Sequence, residues 1–358
     1  MINYLLNKIF YALLTLFGVI TVIFFLFNVL PGDPAQMMLG QNEDSNQVAI
    51  VKKKYGFDKP VTTQYLYYLN DLSPLSFHSK NKDDYTFLRA NKYSATQLFS
   101  IGNTTTVLKL PYLRESFTKQ GKKVSQVIAE TLPNTFVLAV SAITIALLIG
   151  LILGVISALK KDTWIDRLIQ VVSTLGMSVP SFFSAILFAW LFGFVLHKYT
   201  NLEMTGSLYE LDDFGEKVNI KWKNLILPAL VLGIRPLAVV IQLMRNSLLE
   251  VFNQDYIRTA RAKGLSEFQI IKSHAIKNAL NPVVTAISGW FASMLAGAVF
   301  VEYIFGWNGL GKEIVNALNT LDLPVIMGSV LVIATLFVII NIFVDLIYTW
   351  LDPKVTLD

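Results

Sequence analysis

The residues 306–312 have the spacing of a phosphate-binding loop. Gly306, Gly311 and Lys312 match its G-x-x-x-x-G-K pattern, in which backbone N–H groups and a lysine hold the phosphates of a nucleotide. The next residue is Glu313, where such a loop has Ser or Thr, and no strand pattern precedes the segment. We therefore predict that this chain binds no nucleotide.

The histidines do not form a pattern that favours metal or acid–base chemistry. His78, His197 and His274 are far apart in sequence and fall on different sides of the predicted membrane topology, and the chain has no cysteine. No arrangement of residues is typical of a nucleophilic triad or a deaminase. We predict no catalytic residue, no metal and no cofactor, and we expect that the chain is not an enzyme.

Arg235 is the one ionisable residue inside the long apolar segments of the chain. A charge near the middle of a membrane is costly and tends to face a cavity, which favours a position on a translocation path. Pairing with a carboxylate on a neighbouring helix, or displacement of the helix towards the interface, remains open. Pro236 favours a kink or a local break beside it. Glu302 is predicted to cap the outer end of the fifth helix, near an external gate.

The composition predicts the elements that must position these residues. Hydrophobic residues make up 54% of the 358 residues and charged residues 15%, against about 25% charged in soluble domains. Six apolar runs are long enough to cross a bilayer core of about 30 Å. Because backbone groups in lipid must be satisfied internally, we predict an all-α membrane protein of six transmembrane helices. The runs are residues 9–30, 135–159, 168–196, 225–244, 283–301 and 325–344.

The chain divides at its polar segments. Residues 1–30 form the first transmembrane helix, retained because no cleavage pattern follows it. Residues 31–130 are too long for a loop and are predicted to form an extracytoplasmic segment with an insertion at about 76–123. Residues 131–358 form a transmembrane domain with five helices. The short loops on the side of both termini carry eleven Lys and Arg residues against five on the other side, which predicts cytoplasmic termini.

The loop between the fourth and fifth helices is the most informative segment. Asp255 begins a short helix, Gly264 suits the left-handed residue that ends it, and Ser266 with Gln269 predicts a capping box for a second helix. Pro282 is expected at the entry to the fifth transmembrane helix. A DNA-binding helix-turn-helix is disfavoured because membrane tethers both ends, so we expect no nucleic acid partner. A solvated loop without a partner remains open from these residues alone.

This loop resembles the "EAA" signature of permease subunits of binding-protein-dependent ABC importers. In the dipeptide/oligopeptide/nickel group the segment reads close to D-Y-I-R-T-A-R-A-K-G-L, as residues 255–265 do here. The early position of Pro-Gly-Asp-Pro is similar to that of the first-type permease of the heterodimer. The chain departs from the group at Asn308 and Asn281, where proline and Leu or Ile are usual. Further matching segments are residues 31–34, 132–135, 245–251, 302–311 and 352–354.

The resemblance implies a pore-forming permease for di- or oligopeptides in the bacterial cytoplasmic (inner) membrane. Its implied partners are membrane lipid, a homologous second permease, two ATPase subunits that hydrolyse ATP, and an extracytoplasmic substrate-binding protein. Nickel–chelate, glutathione or another small solute is the alternative cargo, and a secondary transporter or a membrane scaffold is the alternative class. The implied ATPase-docking residues are Asp255, Arg258, Thr259, Ala260, Arg261, Ala262, Lys263, Gly264 and Leu265.

Overall fold

The computed structural model describes residues 2–29, 34–39, 45–82, 84–89, 92–212, 214 and 216–351. Within these residues, four uninterrupted helices are long and apolar enough to cross a membrane. Two bent helix pairs also qualify when each pair is taken as one span, which gives up to six. The prediction of a helical multi-pass membrane protein is confirmed, and a count of six depends on these pairs. The four helices are Leu6–Asn28, Val124–Leu159, Lys223–Val251 and Leu323–Val344.

The described residues form fifteen α-helices and five strands. The α-helices are α1 Ile2–Val29, α2 Pro34–Leu39, α3 Ser45–Tyr55, α4 Val61–Leu72, α5 Val124–Leu159, α6 Trp164–Ser178, α7 Ser181–Phe188, α8 His197–Thr200, α9 Lys223–Val251, α10 Asp255–Ala262, α11 Glu267–Ile270, α12 Ile276–Gly297, α13 Val299–Phe305, α14 Leu310–Asn319 and α15 Leu323–Leu351. The strands are β1 Leu75–Ser79, β2 Ala95–Ile101, β3 Thr104–Lys109, β4 Tyr209–Leu211 and β5 Val218–Ile220, and π-helical turns follow α7 at Ala189–Val195 and α11 at Ile271–Ala275.

The sequence predicted one transmembrane helix for the apolar run at residues 168–196. In the structure this run is bent instead. α6 and the helix that begins with α7 meet at an angle of 106°. Val179 between them has an extended backbone, because Pro180 disfavours helical geometry in the residue before it and has no N–H to donate. The bend opens a concave surface that a straight helix would not have.

One compact unit comprises Met1–Ala12, Thr131–Val315 and Ile333–Asp358. Its central element is α9, which packs against α6, α7, α12 and α13. A Cβ added at Gly150 or Gly154 of α5 would lie 2.7 Å from Val240 or Met244 of α9, so the two helices touch where these glycines leave room. Of the kink or local break that Pro236 favours, the break does not occur, since α9 continues past it.

The other unit comprises Leu13–Glu130 and Asn316–Val332. It contains a three-stranded antiparallel sheet in the order β1-β3-β2, which the sequence analysis had not predicted. The sheet lies inside the insertion expected at about 76–123. Asp71, at the end of α4, is 1% exposed and accepts hydrogen bonds from the hydroxyls of Tyr85 and Tyr93 at 2.7 and 2.8 Å. A buried carboxylate therefore ties this region together.

Candidate functional site

The loop that follows α9 has rigid ends. Gly264 has φ +80°, its N–H donates to Arg261 O at 2.9 Å, and the N–H of Leu265 donates to Ala260 O at 3.3 Å. These two bonds form a Schellman motif at the end of α10. The capping box predicted for Ser266 and Gln269 is present at the start of α11. The sequence predictions for both helix ends are therefore confirmed.

The predicted docking residues lie almost entirely on the surface. Ile257 is fully buried and Ala260 is 6% exposed, so these two side chains anchor α10 to the core of its unit. Of the nine predicted docking residues, Ala260 is the one whose side chain is buried. The other eight, at positions 255, 258, 259 and 261–265, are all exposed.

The segment after the loop is continuous with a long helix. The sequence predicted a second short helix followed by a transmembrane helix that begins at Pro282. Instead, α11 passes through the π-helical turn Ile271–Ala275 directly into α12, and Pro282 lies inside α12. The capping box at Ser266 starts this helix far upstream of the proline. Residues 267–297 therefore form one continuous run of helical turns after the loop.

A buried ion pair connects α6 to α9, and sequence reasoning missed it. Arg245 donates from Nε to Oδ1 of Asp166 at 2.8 Å and from Nη2 to Oδ2 at 2.7 Å. Asp166 is 3% exposed and also accepts from the Ser157 hydroxyl and the Asp162 N–H. Arg245 is ten residues before the candidate docking loop, so the pair fixes the helix that leads into that loop. The sequence signal that could have indicated this pair is that Asp166 and Arg245 have opposite charges and lie on the same predicted side of the membrane.

Glu302, in α13, contacts the turn at residues 306–312 that carries the phosphate-loop spacing. Its carboxylate is fully buried, and Oε2 accepts from the N–H groups of Gly311 and Lys312 at 2.7 and 3.1 Å. A Cβ on Gly309 would collide with this carboxylate. Glu302 thus caps the start of α14, whereas the sequence had it capping the end of the fifth helix. The N–H groups that a phosphate would need are already bonded to the chain's own carboxylate.

The same turn is fastened to the start of the apolar part of α5. The indole N–H of Trp307 donates to Asn134 O at 3.0 Å, and the Asn134 amide donates to Asn308 O at 2.7 Å. Trp307 is fully buried. The segments 132–135 and 302–311, which separately resemble the permease group, are therefore in contact within one unit.

Arg235 lines a small cavity beside the bend between α6 and α7. The cavity has a volume of about 90 Å³, and its lining includes Ser181, Ser184, Trp290 and Ser293. The Nε atom of Arg235 is buried without a hydrogen-bond partner among the described residues. Among the residues that the structure describes, no carboxylate is paired with this guanidinium. Pairing with a carboxylate was one of the alternatives that the sequence left open.

Four long apolar helices and two bent helix pairs are typical of a multi-pass membrane protein. Residues 150–357 match the family model described as "Binding-protein-dependent transport system inner membrane component". Residues 1–81 match the model of the corresponding N-terminal region. The chain belongs to this family of inner membrane transport components, which is a family of permeases and not of enzymes.

Several curated relatives match along the whole chain. It is 32% identical over 99% of both chains to the dipeptide transport system permease protein DppB of Alkalihalophilus pseudofirmus. It is 33% identical, again over 99% of both chains, to a putative peptide permease protein of Brucella suis. A di/tripeptide transport system permease protein DppB of Pseudomonas aeruginosa is 32% identical over 99% of both chains. The resemblance to the peptide group of permeases is confirmed.

Proposed function

We propose that this chain is a pore-forming permease subunit of an ATP-driven importer of di- or oligopeptides. The observation that carries the proposal is α10 with the turn after it, whose predicted docking positions 255, 258, 259 and 261–265 are exposed and which leads through α11 into α12. A short rigid helix of this kind can pass the closure of a partner subunit to a helical bundle as a rigid-body movement. The names of the full-length relatives support a peptide cargo.

The partner of this surface is an ATPase subunit. The end of α10 presents backbone and the charge of Lys263 on the exposed side, where Arg261 is paired with Glu267 at 3.0 Å, while Ile257 anchors the helix to the core. We expect two such ATPases, a homologous second permease and an extracytoplasmic substrate-binding protein to complete the importer. An ATPase bound at this loop would place the loop, and with it both termini, in the cytoplasm.

The proposed function requires that uptake depends on ATP. In vesicles containing the chain with its partner subunits, we expect a radiolabelled dipeptide to accumulate when ATP and the binding protein are supplied together. Omitting either should reduce accumulation at least tenfold, because alternating access is driven by closure of the ATPases. Accumulation driven by a proton or sodium gradient without ATP would instead establish a secondary transporter. A nickel–chelate or glutathione taken up in place of the dipeptide would keep the machinery and change the cargo.

Arg235 is proposed to line the translocation path. Its partly buried guanidinium has an unbonded Nε and faces a cavity bordered by serines, which suits transient contact with polar groups of a passing solute. We propose that Glu302 acts at the outer gate indirectly, by holding the turn at residues 306–312 in place. Its Oε2 is already occupied by two backbone N–H groups, which supports a positioning role.

Replacing Arg235 with glutamine should lower the maximal rate of peptide uptake about tenfold while the ATPases remain bound. The reason is that glutamine fits the site without its charge, whereas the docking loop is untouched. The measurement is uptake against peptide concentration, with Arg235→Lys as the charge-retaining variant. Full uptake by the glutamine variant would show that Arg235 is not on the path.

A further inference from the structure

The unit formed by Leu13–Glu130 and Asn316–Val332 contains a cavity that the proposed transport function does not use. Its volume is about 140 Å³, well above the roughly 10–15 Å³ that one water requires on the same measure. Four of its lining residues are cations and three are tyrosines. The lining consists of Lys54, Tyr55, Tyr85, Arg89, Lys92, Tyr112, Arg114 and Glu115.

The charge of this cavity is positive. The lining contains four cations and one carboxylate, Glu115. A second carboxylate, Asp71, is not in the lining but is bonded to Arg114. Arg114 is bonded to Asp71 through Nε at 3.0 Å, which neutralises one cation. The remaining cations exceed the remaining carboxylate, so the cavity favours an anion.

Lys92 is the lining cation whose ammonium is least well hydrogen-bonded. Its ammonium lies 3.7 Å from the ring centre of Tyr85 and 4.7 Å from that of Tyr93, and burial lowers the pKa of Lys92 to about 8. Its one hydrogen bond to the described residues is a long contact of 3.4 Å to Tyr85 O. Three donors and one weak acceptor leave this ammonium under-satisfied, although the rings around it stabilise its charge.

Arg114 is held in a conformation that non-glycine residues avoid. Its φ is +69°, and such strained residues concentrate at ligand-binding sites. The guanidinium lies over the ring of Tyr68 at 5.1 Å, its Nε is bonded to Asp71, and Arg114 also lines the cavity. An ion pair with only a structural role does not require an adjacent cavity, whereas Arg114 both pairs with Asp71 and lines one.

We propose that this cavity binds the carboxylate of a small organic anion between Lys92, Arg89 and Arg114. The cations hold the carboxylate, and the rings of Tyr55, Tyr85 and Tyr112 contact the apolar part of the ligand. If the proposed function holds, the natural source is the C-terminal carboxylate of a peptide. The anion site itself does not depend on that source.

The test is to measure, by calorimetry, the binding of small ligands to the full transporter complex in lipid nanodiscs. Benzoate and its neutral analogue benzamide probe the site itself, the dipeptide Ala-Phe and its C-terminal amide probe the peptide source, and inorganic phosphate probes the other oxyanion. Lys92→Met removes the buried ammonium, and Arg89→Gln removes an exposed lining charge that folding does not require. Lys53→Met is the matched control, since Lys53 is exposed in α3 and does not line the cavity.

We expect benzoate to bind, benzamide to bind at least tenfold more weakly, and Lys92→Met to weaken benzoate at least tenfold. Arg89→Gln should weaken benzoate several-fold and Lys53→Met should leave it unchanged. Equal binding of benzoate by the wild type and both cavity variants would overturn the site, as would a preference for phosphate over benzoate. Benzoate binding that responds to Lys92→Met, with no binding of Ala-Phe, would keep the site and reject peptide as its source. Uptake of peptide without benzoate binding would reject the site and leave the proposed function intact.

Discussion

Gly264→Val should abolish co-purification of an ATPase with this chain from its native membrane. Gly264 has φ +80°, and a β-branched residue there costs at least about 1–2 kcal/mol, so the end of α10 would unwind. A Cβ at this position meets nothing within 4 Å, so the substitution causes no clash inside the chain. The loss would therefore report a changed loop shape or a blocked approach, measured as the amount of ATPase eluted with the tagged permease.

Two further variants separate these causes. Gly264→Asn keeps the left-handed backbone that asparagine tolerates and adds a side chain, so its failure to retain ATPase would indicate that the partner approaches the backbone closely. Gly121→Val is the matched control, because Gly121 has φ +73° and equally open surroundings in the other unit. If Gly121→Val also lost the ATPase, instability would explain both results. If wild type retained no ATPase in mild detergent, the docking role would be wrong.

Asp166→Asn should lower the free energy of unfolding by roughly 2–3 kcal/mol, the range for losing charged hydrogen bonds in a buried pair. The carboxylate bonds Arg245 twice and also accepts from Ser157 and the backbone at Asp162. The Arg245 side chain is 19% exposed, so the substitution leaves its charge largely buried without a counterion. Thermal unfolding of the purified chain in detergent is the measurement.

A double variant and an exposed pair sharpen this prediction. Asp166→Asn with Arg245→Met should cost less than the sum of the single changes, since no unpaired charge remains. The pair of Arg258 with Asp255 is 71% and 95% exposed, and Arg258→Met should change stability by less than about 1 kcal/mol. Equal losses from Asp166→Asn and Arg258→Met would contradict a structural role for the buried pair.

Features specified by neighbouring residues could be predicted from the sequence. The left-handed cap at Gly264 and the capping box of Ser266 and Gln269 depend on spacings of a few residues, and both are present. The apolar runs predicted a multi-pass helical protein for the same reason, because each helix satisfies its own backbone.

The tertiary structure decided which distant residues meet. Asp166 and Arg245 are 79 positions apart, and Trp307 and Asn134 are 173 apart, so no local pattern predicts either contact. The hydrogen bonds of Glu302 show that it caps the start of α14, and packing buries Ala260, one of the nine predicted docking residues. The sequence by itself determined helices, their ends and the membrane class, since these depend on local spacing and composition. Tertiary packing alone placed the ion pair of Asp166 with Arg245 and the cavity around Lys92, because each depends on segments brought together only by the fold.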